Sequence, residues 1–60
     1  MTQTKPALRR SKLLLVEEDA EAREQFRAWL TLSGYEVFPA ATGVEALLLL
    51  KQHPSDVVIT

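Results

Sequence analysis

The amino-acid sequence predicts an α/β fold with a parallel sheet. Short apolar segments typical of strands alternate with longer segments whose apolar residues recur at helical spacing, in the order strand–helix–strand–helix–strand. The first strand is a continuous apolar run, as expected for a strand buried on both faces of a sheet. Helices of ordinary length between successive strands indicate right-handed crossovers between parallel strands.

The first strand is expected over residues 12–16, and the helix after it begins at Asp19 or Ala20 and continues to about Leu32. Gly34 is expected to end that helix, because glycine accepts the left-handed conformation that a helix end requires. Several apolar side chains recur at helical spacing and are predicted to pack as one face; they are those of Ala22, Phe26, Trp29, Leu30 and, at the end of the helix, Leu32.

The second half of the pattern begins with a short strand over residues 35–38. Pro39 is expected to end this strand and favours an edge position in the sheet, because proline has no amide hydrogen to donate. Thr42 and Glu45 have the spacing of a capping box at the start of a helix over 43–52. Leucine fills positions 47–50, and one packed face needs only two of these residues. Pro54 keeps His53 out of helical geometry, and residues 56–60 open a third strand.

Composition limits the function classes. Sixty residues form at most one small domain, and the absence of cysteine excludes a disulfide or a zinc–thiolate site and fits a reducing compartment such as the cytoplasm. The first twelve residues carry a charge of +4 and the remainder −5. We therefore expect residues 1–11 to be a flexible basic leader and the acidic domain to make no direct nucleic-acid contact. No apolar stretch is long enough to span a membrane, and the leader lacks the apolar core of a secretory signal.

Three acids, Glu17, Glu18 and Asp19, directly follow the first strand. Open α/β sheets place their ligand crevices at the carboxyl ends of strands. Clustered carboxylates repel one another unless a cation or water lies among them, and carboxylate oxygens suit Mg²⁺. The alternative is structural: two acids in a loop and Asp19 capping the helix at its positive end. The residues by themselves leave both interpretations open.

Other sites are excluded more firmly. No glycine-rich turn follows the first strand, and the acids there would repel a pyrophosphate, so a dinucleotide site is not expected. His53 is the sole histidine and stands beside a proline at a helix end, as a surface turn residue does. No serine–histidine–aspartate arrangement is therefore predicted.

Five segments, in this order and spacing, resemble the first half of a response-regulator receiver domain. They are 13–19 (LLLVEED), Arg23, 34–37 (GYEV), 41–47 (ATGVEAL) and 54–60 (PSDVVIT). The resemblance covers residues 12–60. It implies a flavodoxin-like doubly wound sheet with strand order 2-1-3-4-5, of which this chain holds the β-α-β-α-β portion.

The resemblance also implies a function. Receivers are not enzymes but phosphoacceptors: they take a phosphoryl group from a histidine kinase or phosphotransfer protein onto an aspartate at the end of the third strand, and they relay a conformational signal. The family's acidic pair, which holds Mg²⁺, falls on Glu17 and Glu18. The acceptor aspartate would follow Thr60 directly, so the chain is expected to stop just before it. The later switch residues and the lysine that pairs with phosphate have no counterparts in this chain.

One departure bears on the metal. Glu18 stands where the family nearly always has aspartate, and its longer side chain displaces the carboxylate by about one bond, which Mg²⁺ tolerates badly. Mg²⁺ is therefore expected in the intact domain and weak or absent in this fragment. The alternative is a pseudo-receiver that acts without phosphate as an interaction or dimerisation module. A third possibility, a metal-dependent phosphatase fragment, lacks an upstream nucleophile.

The predicted strand order leaves residues 56–60 as an open edge with apolar side chains. We therefore expect the chain to self-associate through this strand. An output region that binds DNA is a common companion of receivers, but no residue of this segment indicates one.

Overall fold

A computed structural model of the chain describes residues 11–60. Five elements follow in the expected order: β1 (Lys12–Val16), α1 (Ala20–Leu32), β2 (Glu36–Ala40), α2 (Gly43–Gln52) and β3 (Val57–Ile59). The predicted basic leader, residues 1–11, lies outside the described residues except for Ser11, whose carbonyl accepts a hydrogen bond from the Glu36 amide at 2.9 Å. Neither helix in the described part of the chain has the length and apolar character of a membrane span.

The three strands form one parallel sheet in the order β2-β1-β3. Leu14 in the central strand lies between Phe38 and Val58 of its two neighbours. α1 connects β1 to β2 on one side of it, and α2 connects β2 to β3 on the other side of β1. Because both crossovers have the same hand, the two helices lie on opposite faces of the sheet. The predicted flavodoxin-like α/β fold is confirmed.

The core is centred on β1, as its unbroken apolar sequence predicts. Leu13, Leu14 and Leu15 are each only 2 % exposed. Leu14 packs with Ala40 and Ala46 on the α2 side of the sheet, while its neighbours in the strand point to the opposite face. Burial on both faces explains why this strand contains no polar residue between Lys12 and Val16.

Local chemistry sets the helix ends where the sequence predicts them. The Thr42 hydroxyl accepts a hydrogen bond from the Glu45 amide at 3.1 Å. The Glu45 carboxylate accepts one from the Ala41 amide at 2.6 Å, one residue earlier than in a standard capping box. Gly34 adopts φ 105° after α1, and His53 leaves helical geometry with φ −133° and ψ 82°.

The bounds of two strands differ from the prediction. β2 begins at Glu36, one residue later than predicted, and runs through Pro39 to Ala40 instead of stopping at Phe38. The amide of Glu36 and the carbonyl of Ala40 both bond toward β1, so by alternation the Pro39 nitrogen faces the outer edge, where no donor is needed. At the other edge, β3 covers only Val57–Ile59.

The predicted packing of α1 is partly wrong. Phe26, Trp29 and Leu32 are 42 %, 65 % and 87 % exposed, although they were predicted to belong to the packed face. Ala22 and Leu30 are half-buried. Phe26 and Trp29 line an open cleft beside β1 and β3. Because no element of residues 11–60 fills this cleft, helical periodicity alone overestimates their burial. On α2, Leu49 and Leu50 pack against the core and Leu47 and Leu48 are exposed, as expected.

His53 has a packing role as well as a place at a turn. Its imidazole ring stacks on Phe38, with ring centroids 4.4 Å apart and an interplanar angle of 13°. The side chain is half-buried at the end of α2. This contact joins α2 to β2.

Candidate acidic site at the end of the first strand

The three acids lie at the carboxyl edge of the sheet. β1 and β3 are parallel, and Leu15 pairs with Ile59, so both strands end at the same edge. The loop between β1 and α1 therefore begins beside the end of β3. Glu17 and Thr60 border a cleft of about 260 Å³ whose other walls are mainly apolar and include Trp29. This is the position at which open α/β sheets bind ligands.

The three carboxylates have different roles. The Glu17 Oε2 atom accepts a hydrogen bond from the Asp19 amide at 3.2 Å. The Asp19 Oδ2 atom accepts one from the Ala22 amide at 3.1 Å and caps α1, where the positive end of the helix also favours a carboxylate. The exposed Glu18 carboxylate accepts no hydrogen bond from residues 11–60. The structural interpretation is thus confirmed for Asp19, whereas neither Glu18 carboxylate oxygen is used within residues 11–60.

Arg23 of α1 contacts this loop, and the sequence pattern did not predict that contact. Its Nη1 atom donates to the carbonyl oxygen of Glu17 at 2.9 Å and to that of Glu18 at 3.3 Å. The guanidinium bonds the loop backbone and makes no ion pair with a carboxylate of the described residues. The position of Arg23 could have indicated this contact, because a long side chain in the first turn of a helix points back toward the helix start.

The donor set fits Mg²⁺ only in part. Carboxylate oxygens have the right chemistry, and Mg²⁺ commonly uses one or two protein carboxylates and completes its shell with water. Within residues 11–60, however, no three acidic, histidine or cysteine side chains converge as a metal-binding group. Glu18 is available, whereas Glu17 is already bonded to the Asp19 amide. The assignment of Glu17 and Glu18 as metal ligands stays a prediction.

Several known proteins resemble this chain over most of its length. It is 43 % identical over 51 residues to the probable transcriptional regulator ycf27 of Pyropia yezoensis, a match that covers 83 % of this chain. It is 38 % identical over 47 residues to the transcriptional regulatory protein KdpE of Mycobacterium tuberculosis, and 40 % identical over 48 residues to the response regulator MprA of a Mycobacterium species. These matches cover 78 % and 80 % of this chain.

The matches concern one region of longer proteins. The chain spans about a fifth of the length of these relatives, 21 % in each case. No protein-family model and no solved structure matches it. The described residues of this chain form a β-α-β-α-β unit with β1 at the centre of its sheet. The relatives that this chain resembles over about four fifths of its length are thus response and transcriptional regulators, which supports the interpretation of its described residues as a receiver-domain fragment.

Proposed function

We propose that this segment is the metal-binding side of a phosphoacceptor receiver, which takes a phosphoryl group from a histidine kinase or phosphotransfer protein. The observation that carries the proposal is the parallel register of Leu15 with Ile59. It brings the acids after β1 to the sheet edge where the chain continues from β3. A phosphoacceptor aspartate directly after Thr60 would then stand beside Glu17 and Glu18.

In this proposal the carboxylate of Glu18 is the principal metal ligand, and Glu17 joins it by releasing the Asp19 amide. When bound, Mg²⁺ would neutralise the negative charge on phosphoryl oxygens. Asp19 keeps its place as the helix cap and so fixes where α1 begins relative to the acids. The domain accepts one group and relays a signal, and it does not turn over a substrate.

Phosphorylation tests this function in a protein that extends the chain through an acceptor aspartate. Incubation with acetyl phosphate and Mg²⁺ should add one phosphoryl group, detected by intact mass. E18Q should slow the reaction because it removes a carboxylate charge from the site, and E21Q is the matched control in the neighbouring first turn of α1. A protein that gains no phosphoryl group at any Mg²⁺ concentration would exclude this function.

A second candidate is a phosphate-independent pseudo-receiver that acts by self-association. Two observations favour it: Glu18 replaces the usual aspartate, and β3 is an edge strand of the described sheet. Val57, Val58 and Ile59 are 43 %, 51 % and 38 % exposed. An exposed apolar edge with unpaired backbone groups is a template for another strand. We propose that in this 60-residue chain the partner is the β3 strand of a second copy.

Sedimentation velocity of the 60-residue chain at several concentrations tests this interface. Association should increase with concentration and decrease in V58K, because a lysine on the edge opposes strand pairing. V44K places the same charge on α2, where Val44 is 72 % exposed, and should leave association unchanged. A chain that stays monomeric at high micromolar concentration would rule out the β3 interface.

The cellular setting belongs to the same proposal. Histidine-kinase partners and a sequence without cysteine support a location in the cytoplasm. The names of the relatives describe transcriptional regulation. A DNA-binding output region, if this protein has one, would lie outside residues 1–60.

A further inference from the structure

We infer that β3 pairs with β3 of a second copy in antiparallel orientation, with Val58 opposite the partner's Val58. The inference rests on the self-association proposed above and specifies its geometry. β3 is an edge strand of the described sheet, and the side chains of Val57–Ile59 are all apolar and exposed. The strand contains neither proline nor a charged residue, which are the usual protection of a sheet edge.

The outer edge of β3 presents the backbone groups of Val58. β1 bonds to β2 through its odd-numbered residues, since the Ser11 carbonyl and the Glu17 amide both have partners in β2. In a parallel pair of residues, only one member bonds to the other strand. The odd-numbered residues of β3 lie opposite odd-numbered residues of β1 and therefore supply the bonds to β1. The amide and carbonyl of Val58 face outward, unpaired within residues 11–60.

An antiparallel partner satisfies these two groups. Residues opposite each other in a hydrogen-bonded antiparallel pair exchange both backbone bonds, so Val58 of each copy bonds to Val58 of the other. Val57 then lies opposite the partner's Ile59, and every apolar residue of the strand meets an apolar residue, as in stabilising cross-strand pairs. Shifting the partner by two residues, the smallest shift that keeps this bonding pattern, would instead set Val58 opposite Asp56 or Thr60.

Charge also favours the antiparallel orientation. Asp56 directly precedes β3, and its carboxylate accepts a hydrogen bond from the Lys12 amide. In the antiparallel pair, the Asp56 residues of the two copies lie at opposite ends of the paired strands. A parallel pair would set them beside each other, and like charges in that arrangement are destabilising.

Pairing at β3 would also widen the apolar floor beside α1. Val58 pairs with Leu14 and shares its α2 side, so Val57 and Ile59 point to the α1 side of the sheet. Ile59 lines the cleft with Trp29, and the partner's Val57 would extend that surface. A pair of three-residue strands buries less than the roughly 1,200 Å² at which stable interfaces begin, so the dimer should be weak and concentration-dependent.

Disulfide cross-linking of the 60-residue chain tests the register, because the parent sequence contains no cysteine. The two Cα atoms at position 58 would lie about 5.5 Å apart, within the range of a disulfide. V58C should therefore form a linked dimer several-fold faster than V44C, which places a thiol on the exposed side of α2. V57C and I59C alone should each link no faster than V44C, because their two copies lie more than about 7 Å apart. A mixture of V57C and I59C should yield the mixed dimer, identified by its mass.

A second measurement needs no substitution. In a mixture of ¹³C-labelled and unlabelled parent chain, intermolecular nuclear Overhauser effects should connect the methyl groups of Val57 with those of Ile59.

The outcomes separate this geometry from the self-association on which it rests. V57C that links as fast as V58C, V58C no faster than V44C, or absence of the Val57–Ile59 effects, in a chain that associates by sedimentation, would overturn the antiparallel register alone. A chain that sediments as a monomer at every concentration would overturn the self-association and this geometry with it.

Discussion

Asp56 forms hydrogen bonds with both the backbone amide and the backbone carbonyl of Lys12. Its carboxylate accepts a hydrogen bond from the Lys12 amide at 2.9 Å, and its own amide donates to the Lys12 carbonyl at 2.8 Å. These bonds start the pairing of β3 with β1 one residue before the strand itself begins. They also set the register in which Leu15 lies opposite Ile59 and the acidic loop meets the end of β3.

We expect D56A to lower the free energy of unfolding by about 1 kcal/mol, the typical contribution of one hydrogen bond. D56N retains an acceptor oxygen and should recover most of that loss. Urea denaturation followed by circular dichroism measures both. Equal stability of D56A and the parent chain would show that the Asp56 carboxylate does not set the register.

Burial of β1 on both faces makes Leu14 the strongest test of the core. L14A should destabilise the chain by about 2–5 kcal/mol because it opens a cavity beside Ala40 and Ala46. The same substitution at Leu48, which is 58 % exposed, should change stability by no more than about 0.5 kcal/mol. Thermal unfolding of the two variants gives the comparison, and similar midpoints would contradict the assigned core.

The cap of α2 gives a third prediction. T42A should cost about 1 kcal/mol, since the Glu45 amide loses its acceptor. T42S keeps the hydroxyl and is expected to behave as the parent does. The readout is the urea midpoint of the helical circular-dichroism signal, and a T42A midpoint equal to that of T42S would argue against the cap.

The Glu24–Arg27 pair on α1 predicts a pH effect. The hydrogen bond from Arg27 lowers the pKa of the Glu24 carboxyl below its ordinary value of 4.5. A lowered pKa in the folded chain means that the pair stabilises the fold above the unfolded pKa and that this contribution is lost as the pH falls through the folded pKa. Because both groups are exposed, the effect on stability is small.

Nuclear magnetic resonance titration of the Glu24 side chain tests this pair. R27Q should raise the pKa of Glu24 toward 4.5, whereas R23Q, on the same helix but bonded to loop carbonyls, should leave it in place. An R27Q titration curve that superimposes on that of the parent would contradict the assigned hydrogen bond.

The elements predicted well from sequence are those that local chemistry decides. Gly34 at positive φ and the Thr42–Glu45 cap depend on residues close in the chain. The continuous apolar sequence of β1 correctly predicts a strand that is buried on both faces. The passage of β2 through Pro39 depends on which edge of the strand faces outward, which only the assembled sheet determines.

The geometry of the acidic site was harder to predict from sequence, because it also depends on contacts that form only in the folded chain. The pattern located the acids but not the hydrogen bond between the Glu17 carboxylate and the Asp19 amide, nor the reach of Arg23 to the loop carbonyls. Exposure of Phe26 and Trp29 depends on what covers the α1 face, which periodicity does not specify.

The central proposal is that, in a complete receiver, the loop after β1 supplies a cation ligand through Glu18. Mn²⁺ titration of a ¹⁵N-labelled protein that extends the chain through an acceptor aspartate tests it most directly, because paramagnetic broadening falls steeply with distance from the ion. We predict broadening centred on the Glu17, Glu18 and Asp19 amides, abolished by E18Q and retained in E21Q, which removes the same charge nearby. Broadening that persists in E18Q, or that spreads evenly over the acidic surface, would contradict it.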